Sequence, residues 1–180
     1  LVEAWATDIG APLCKKALEC ILQAFAEPPY TEWTVELLGR VIDRENEEDP
    51  FRNRTGSLAV RMIELLRTLP GREGEITALR REYHDDFEVR DQEILEAEEA
   101  GDFDDAIRLL KAAKADFGPY LQERFSRRLI GIYERLGRTE ELYEELCTMV
   151  FDLKGGGMEM LTKLTSVCTP KQWKELRSRY

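Results

Sequence analysis

Apolar residues recur at spacings of three and four along nearly the whole chain, as they do on one face of an amphipathic α-helix. No stretch alternates apolar and polar residues for long enough to indicate a β-strand. The clearest apolar stripes run over residues 13–25, 33–42 and 58–69, and two of them are followed by Pro28-Pro29 and Pro70-Gly71. The pattern therefore predicts an all-α protein of about 9–10 helices.

The second stripe is followed by a stretch, residues 43–54, that is rich in charge and carries Pro50. Proline interrupts a helix because it lacks an N–H donor and clashes with the preceding turn. We therefore expect a solvated turn or a mobile loop over residues 43–54, without a binding motif.

A sequence repeat begins near residue 87. The stretch around Gly101 returns 36 positions later around Gly137, and Ala106 is matched there by Leu142. A glycine allows the left-handed conformation that ends many helices, and acidic residues follow each glycine where the dipole of the next helix favours them. Each unit of the repeat is therefore predicted to be a helical hairpin.

The C-terminal part predicts a third, truncated hairpin. Gly155-Gly156-Gly157 should form a flexible connection, followed by a short helix over residues 158–167. The last helix should begin at Thr169–Gln172, because a threonine cap, a proline at the first helical position and a glutamine that completes a capping box are typical of a helix start.

The repeat resembles the tetratricopeptide family. The resemblance lies in small and apolar residues at that family's spacing, namely Gly101, Phe103, Ala106, Leu110 and Ala113. It implies a right-handed α-solenoid of antiparallel helix pairs. Residues 1–86 would form N-terminal helical pairs, and residues 87–180 would form tetratricopeptide-like repeats packed with them as one continuous solenoid.

A second resemblance covers roughly the last hundred residues. The runs at 87–90, 98–107, 129–137 and 169–173 are similar to the helical-repeat region that follows the zinc finger in bacterial SWIM-type proteins. The Cys/His metal site of that finger is absent from this sequence. The resemblance therefore implies neither its metal nor its nucleic-acid role for these residues.

Charge and hydropathy narrow the set of partners. The 180 residues include 26 basic and 36 acidic ones, for a net charge of −10, which repels phosphate backbones and disfavours nucleic acid as a partner. No apolar run approaches the roughly 20 residues that span a bilayer, so we expect no membrane association. Because the chain starts at Leu1 and not at methionine, we expect it to be a piece of a longer polypeptide.

Four cysteines, Cys14, Cys20, Cys147 and Cys168, lack the close spacing of a zinc site and stand among apolar neighbours. They predict reduced, buried thiols in a cytoplasmic protein. The only histidine, His84, stands beside Glu82, Asp85 and Asp86, where a solvated side chain at a helix end is a simpler interpretation than a metal ligand. The sequence shows no set of residues that would form a catalytic site. We therefore expect no bound metal, no cofactor and no enzyme activity.

A basic face is predicted on and just after the helix over residues 120–136. Its members are Arg124, Arg127, Arg128, Arg135 and Arg138. These arginines could pair with acidic residues of the neighbouring helices, or they could contact a partner.

The tetratricopeptide resemblance implies which positions face a ligand. They are Glu88, Asp91, Leu95, Glu98 and Glu99 in the first repeat and Arg124, Arg127, Gly131, Glu134 and Arg135 in the second. The candidate partner-binding residues are therefore Arg124, Arg127, Arg135, Glu134, Glu88, Asp91 and Glu98. A surface of mixed charge suits a protein or an extended peptide better than a small apolar ligand.

These patterns favour a non-catalytic protein–protein interaction scaffold. The alternative is a nucleic-acid-associated accessory module of a zinc-finger protein, in which the basic face contacts phosphates. The net charge of −10 disfavours that alternative.

Overall fold

A computed structural model describes residues 11–48 and 55–179, which form ten α-helices and no β-strand. The helices are α1 (Ala11–Ala24), α2 (Thr31–Glu48), α3 (Gly56–Arg67), α4 (Glu73–Glu82), α5 (Phe87–Glu99), α6 (Phe103–Asp116), α7 (Pro119–Leu136), α8 (Thr139–Cys147), α9 (Gly157–Val167) and α10 (Pro170–Arg179). A π-helical segment, Thr148–Asp152, continues α8. The predicted all-α class is confirmed for these residues.

The chain divides into two compact units, Leu1–Gln92 and Glu93–Tyr180. The division falls within α5, and the boundary predicted after residue 86 falls at the start of the same helix. The continuous solenoid stays a prediction.

Two apolar clusters form the core of the first unit, in which α3 packs against both α2 and α4. One consists of Leu22, Val35, Leu38, Leu65 and Leu66, and the other of Ile42, Ala59, Ile63, Tyr83 and Val89. All of these residues except Tyr83 and Val89 lie within the three apolar stripes that predicted helices, because residues spaced at three and four share the face that each helix buries.

A buried carboxylate, that of Asp86, marks the start of α5. It accepts hydrogen bonds from the backbone N–H groups of Glu88, at 2.8 Å, and Val89, at 3.2 Å, and so caps the helix. Its carboxyl carbon and both oxygens lie 2.2 Å from the position that a Cβ atom on Gly56 would take. Only glycine at position 56 therefore lets α3 begin beside this carboxylate.

The loop predicted over residues 43–54 is wrong in its first half, because α2 continues to Glu48. The Asn46 side chain donates a hydrogen bond to the Tyr83 hydroxyl and accepts one from the Thr55 hydroxyl, each at 3.2 Å. A run of charged residues is compatible with an exposed helical end, and these contacts hold that end in place. Residues 49–54, including Pro50, lie outside the described residues.

In the second unit, α7 packs against α6 and α8, and α8 packs against α9. Four ion pairs also join helices that are two apart in the sequence. They are Glu98 of α5 with Arg128 of α7, Asp104 of α6 with Arg138 just before α8, Lys114 of α6 with Glu145 of α8, and Glu134 of α7 with Lys163 of α9. The partners are 29 to 34 residues apart, close to one predicted repeat.

The predicted helix ends of the repeat are confirmed. Gly101 and Gly137 have φ angles of +76° and +66°, in the left-handed region that favours glycine. The predicted capping box also forms: the backbone N–H of Thr169 donates to the Gln172 side chain at 2.9 Å, and the backbone N–H of Gln172 donates to the Thr169 hydroxyl at 3.2 Å.

The glycine run before α9 is packed more closely than the predicted flexible connection. A Cβ atom on Gly155 would lie 2.7 Å from the carboxyl carbon of Glu123, and one on Gly156 would lie 2.0 Å from the Cγ atom of Met160. Glycine is therefore required at position 156, where the φ angle is also +75°, whereas the end of the flexible Glu123 side chain could shift to accept a Cβ atom at position 155. The sequence pattern showed the break but could not show this contact.

Candidate functional site

A cleft of about 260 Å³ opens on the surface of the second unit. Its lining residues come from α5, α6 and α7: Glu98, Phe103, Arg128, Gly131, Ile132 and Arg135. The cleft therefore contains two of the predicted partner-binding residues, Glu98 and Arg135.

One part of the cleft lining is the bidentate ion pair between Arg128 and Glu98. Arg128 Nε lies 3.1 Å from Glu98 Oε1, and Arg128 Nη2 lies 2.9 Å from Glu98 Oε2. The two side chains are only 20% and 24% exposed, so water screens their attraction less than it would at an open surface. The pair fixes this wall and leaves it without net charge.

A second part of the lining is a cation over an aromatic ring. The Arg135 guanidinium carbon lies 4.6 Å from the centre of the Phe103 ring, which is within the range of cation–π attraction. Phe103 is held at the start of α6 because Asp102 caps that helix by accepting a hydrogen bond from the Asp105 backbone N–H at 3.1 Å. The cap therefore sets the position of the ring on which Arg135 rests.

Gly131 also lines the cleft. It lies in the middle of α7, and nothing stands within 4 Å of the position its Cβ atom would take. Glycine in a helix interior costs about 1 kcal/mol relative to alanine. Packing does not require this glycine, and a large side chain at position 131 would extend into the cleft.

The other predicted partner-binding residues lie outside the lining of this cleft. Arg127 pairs with Glu123 at 2.8 Å, and one of its guanidinium nitrogens lies 3.6 Å from the Cβ position of Gly156. Glu134 pairs with Lys163 at 2.9 Å. Arg127 and Glu134 therefore contact the glycine run and α9, respectively.

Three predicted residues remain. Arg124 is exposed on α7 and is not among the cleft residues. Glu88 and Asp91 belong to the first unit, on the first turns of α5, where Glu88 is exposed and Asp91 is half-buried. A common binding role for all seven predicted residues stays a prediction.

Sequence reasoning omitted Arg128, Phe103 and Ile132 from the site. Arg128 belonged to the predicted basic face, and its pairing with Glu98 agrees with the ion-pair alternative. Arg138 also pairs between helices, with Asp104 at 2.5 Å, and this hydrogen bond raises the pKa of Arg138. Gly131, which the tetratricopeptide resemblance had placed among the ligand-facing positions, also lines the cleft.

Three thiols are less buried than predicted, and the prediction for Cys14 lies outside the side chains that the structure describes. Cys20 is exposed, while Cys147 and Cys168 are half-buried. Burial and a hydrogen bond with Cys147 raise the pKa of Tyr143 to about 12. Burial, followed by the influence of Cys147, also raises the pKa of Cys168. Tyr143 and Cys168 therefore stay protonated at neutral pH.

His84 is exposed, and its Nδ1 atom lies 3.2 Å from the Arg81 carbonyl oxygen. Within residues 11–48 and 55–179, no three His, Cys, Asp or Glu side chains form a group that could hold a metal ion. In the same part of the chain, no helix has the length and apolar character that crossing a membrane requires.

No protein-family model, curated protein or solved structure matches the chain. The tetratricopeptide and SWIM-type resemblances therefore stay predictions from the sequence.

Proposed function

We propose that this chain is a non-catalytic scaffold for protein–protein interaction and that the cleft of the second unit binds an extended peptide segment of a partner. The observation that carries the proposal is the cleft itself, which is lined by the Glu98–Arg128 ion pair, by Arg135 over the Phe103 ring and by Gly131. Rigid polar groups beside an aromatic ring are suited to binding a peptide with defined side chains.

The ion pairs between helices two apart support the solenoid part of the proposal. In a right-handed α-solenoid of antiparallel pairs, every helix touches the second helix after it, and contacts recur once per repeat. The pairs Glu98–Arg128 and Lys114–Glu145 have this spacing. A tetratricopeptide-like stack would explain why the polar contacts repeat as they do.

The basic face supports nucleic-acid binding less well. Among its arginines, Arg127, Arg128 and Arg138 have carboxylate partners within the chain. A phosphate backbone would have to displace those partners from a chain of net charge −10.

Filling the cleft tests the proposal. Peptides selected from a phage-displayed random library on the intact chain should bind the wild type and lose binding to the Gly131→Phe variant, because the ring would occupy the cleft. Gly131→Ala is the matched control, since one methyl group fits the open space and should leave binding intact. Circular dichroism of both variants checks that they keep the helical content of the wild type.

The proposal fails if no peptide is enriched or if the enriched peptides bind Gly131→Phe as well as the wild type. Retention on DNA that weakens steeply as salt rises would instead favour the nucleic-acid module.

A further inference from the structure

Arg135 differs from the other cation of the cleft. Arg128 is held by Glu98, whereas Arg135 has no acidic partner within the described part of the chain and contacts the Phe103 ring. Arg135 is exposed beside that ring, so its N–H donors are accessible to a ligand. One acidic residue, Glu98, and two basic residues, Arg128 and Arg135, line the cleft, so the lining carries one excess positive charge.

We infer that the cleft receives a glutamate side chain of the bound peptide, with its carboxylate on Arg135. This inference rests on the proposed function and specifies its ligand. One carboxylate supplies the single negative charge that the cleft lacks, and its two oxygens match the fork of guanidinium donors. A dianionic phosphate would bring an excess charge close to the Glu98 carboxylate.

The dimensions of the cleft favour one side chain over a whole small molecule. Its volume of about 260 Å³ lies below the roughly 300–1,000 Å³ of pockets that enclose drug-sized ligands. The Phe103 ring and Ile132 give an apolar surface for methylene groups. Glutamate has one methylene more than aspartate, so its stem can cover this surface while its carboxylate reaches Arg135.

The acidity of the whole chain does not oppose this assignment at short range. At physiological ionic strength, charges separated by more than about 8 Å are largely screened. The acidic side chain that lines the cleft, Glu98, is matched by Arg128 at 2.9 Å. Among the lining residues, Arg135 therefore supplies the positive charge that a bound carboxylate meets.

The test is a double-mutant cycle on the peptides selected with the intact chain. We expect these peptides to share a glutamate at one position, and a fluorescein-labelled peptide with Glu→Gln at that position should bind the wild type about ten- to a hundredfold more weakly. In Arg135→Gln the same peptide change should matter several-fold less, because the partner of the carboxylate is gone.

Lys111 provides the matched control. Its Nζ atom lies 5.9 Å from the centre of the Tyr133 ring, so it is also a cation over an aromatic ring in the second unit, but it does not line the cleft. Lys111→Gln should keep wild-type affinity and the full Glu→Gln penalty. Arg135→Lys keeps the charge without the fork and should give an intermediate penalty.

The outcomes separate the two proposals. Suppose that the enriched peptides lose binding to Gly131→Phe. If they then share no glutamate, or if the Glu→Gln change weakens binding equally in Arg135→Gln and in the wild type, this inference is overturned and the scaffold proposal stands. Peptides that ignore Gly131→Phe overturn both.

Discussion

The two compact units use buried polar side chains in different ways. In the first, the Asp86 carboxylate caps the helix that follows it and fills the space above Gly56. In the second, the Lys114–Glu145 pair joins two helices that are not consecutive. The first arrangement determines where α5 begins and how closely the start of α3 approaches it, whereas the second aligns α6 with α8 through an ion pair.

The largest expected effect tests the contact between Gly56 and the Asp86 carboxylate in the first unit. Gly56→Ala should lower the free energy of unfolding by about 3 kcal/mol, because the new methyl group would collide with a carboxylate that two backbone N–H groups hold in place. Urea denaturation followed by circular dichroism measures the loss.

Gly74→Ala is the matched control, since Gly74 lies inside α4 with nothing within 4 Å of its Cβ position. This variant should gain up to about 1 kcal/mol. If collision with Asp86 is the cause, Gly56→Ala should cost much less in an Asp86→Ala background. Equal losses in both backgrounds would disprove the assigned contact.

The second prediction tests the Lys114–Glu145 ion pair, which joins α6 and α8 in the second unit. Lys114→Met should lower the free energy of unfolding by about 2 kcal/mol, because it leaves the Glu145 carboxylate, whose side chain is 11% exposed, without its cation. Replacing both partners, as in Lys114→Met with Glu145→Leu, should recover most of this loss, since two apolar side chains need no pairing.

Arg108→Met supplies the comparison for an exposed pair. Arg108 contacts Asp105 one turn away on the same helix, and the two side chains are 67% and 41% exposed. Its removal should cost less than about 0.5 kcal/mol. A Lys114→Met loss as small as this would mean that the Lys114–Glu145 pair does not stabilise the alignment of α6 and α8.

The sequence predicted the helices better than the contacts between them. Spacings of three and four mark the buried face of each helix, and Gly101 and Gly137 mark helix ends because their conformation is a local property. The contact of Gly56 with Asp86 joins residues 30 positions apart, and no local pattern indicates it.

The same distinction holds for the cleft. The resemblance placed Glu98 and Arg135 on one surface, and both line the cleft. It could not show that Arg128 would be held by Glu98 while Arg135 rests on Phe103, because the choice between partners depends on how α5, α6 and α7 pack. Net charge and helical periodicity do not distinguish a pairing of Glu98 with Arg128 from a pairing of Glu98 with Arg135.

The smallest expected effect extends the comparison of the units to their thiols. At pH 8, iodoacetamide should alkylate the exposed Cys20 of the first unit several-fold faster than the half-buried Cys168 of the second, since only the thiolate reacts and burial raises the pKa of Cys168. A raised pKa means that the reactivity of Cys168 continues to rise with pH beyond the ordinary thiol range. Site-resolved mass spectrometry of the native protein measures both rates, and the same reaction in urea is the control, because unfolding should bring the two rates together. Equal rates in the native protein would show that α9 and α10 leave Cys168 as accessible as Cys20.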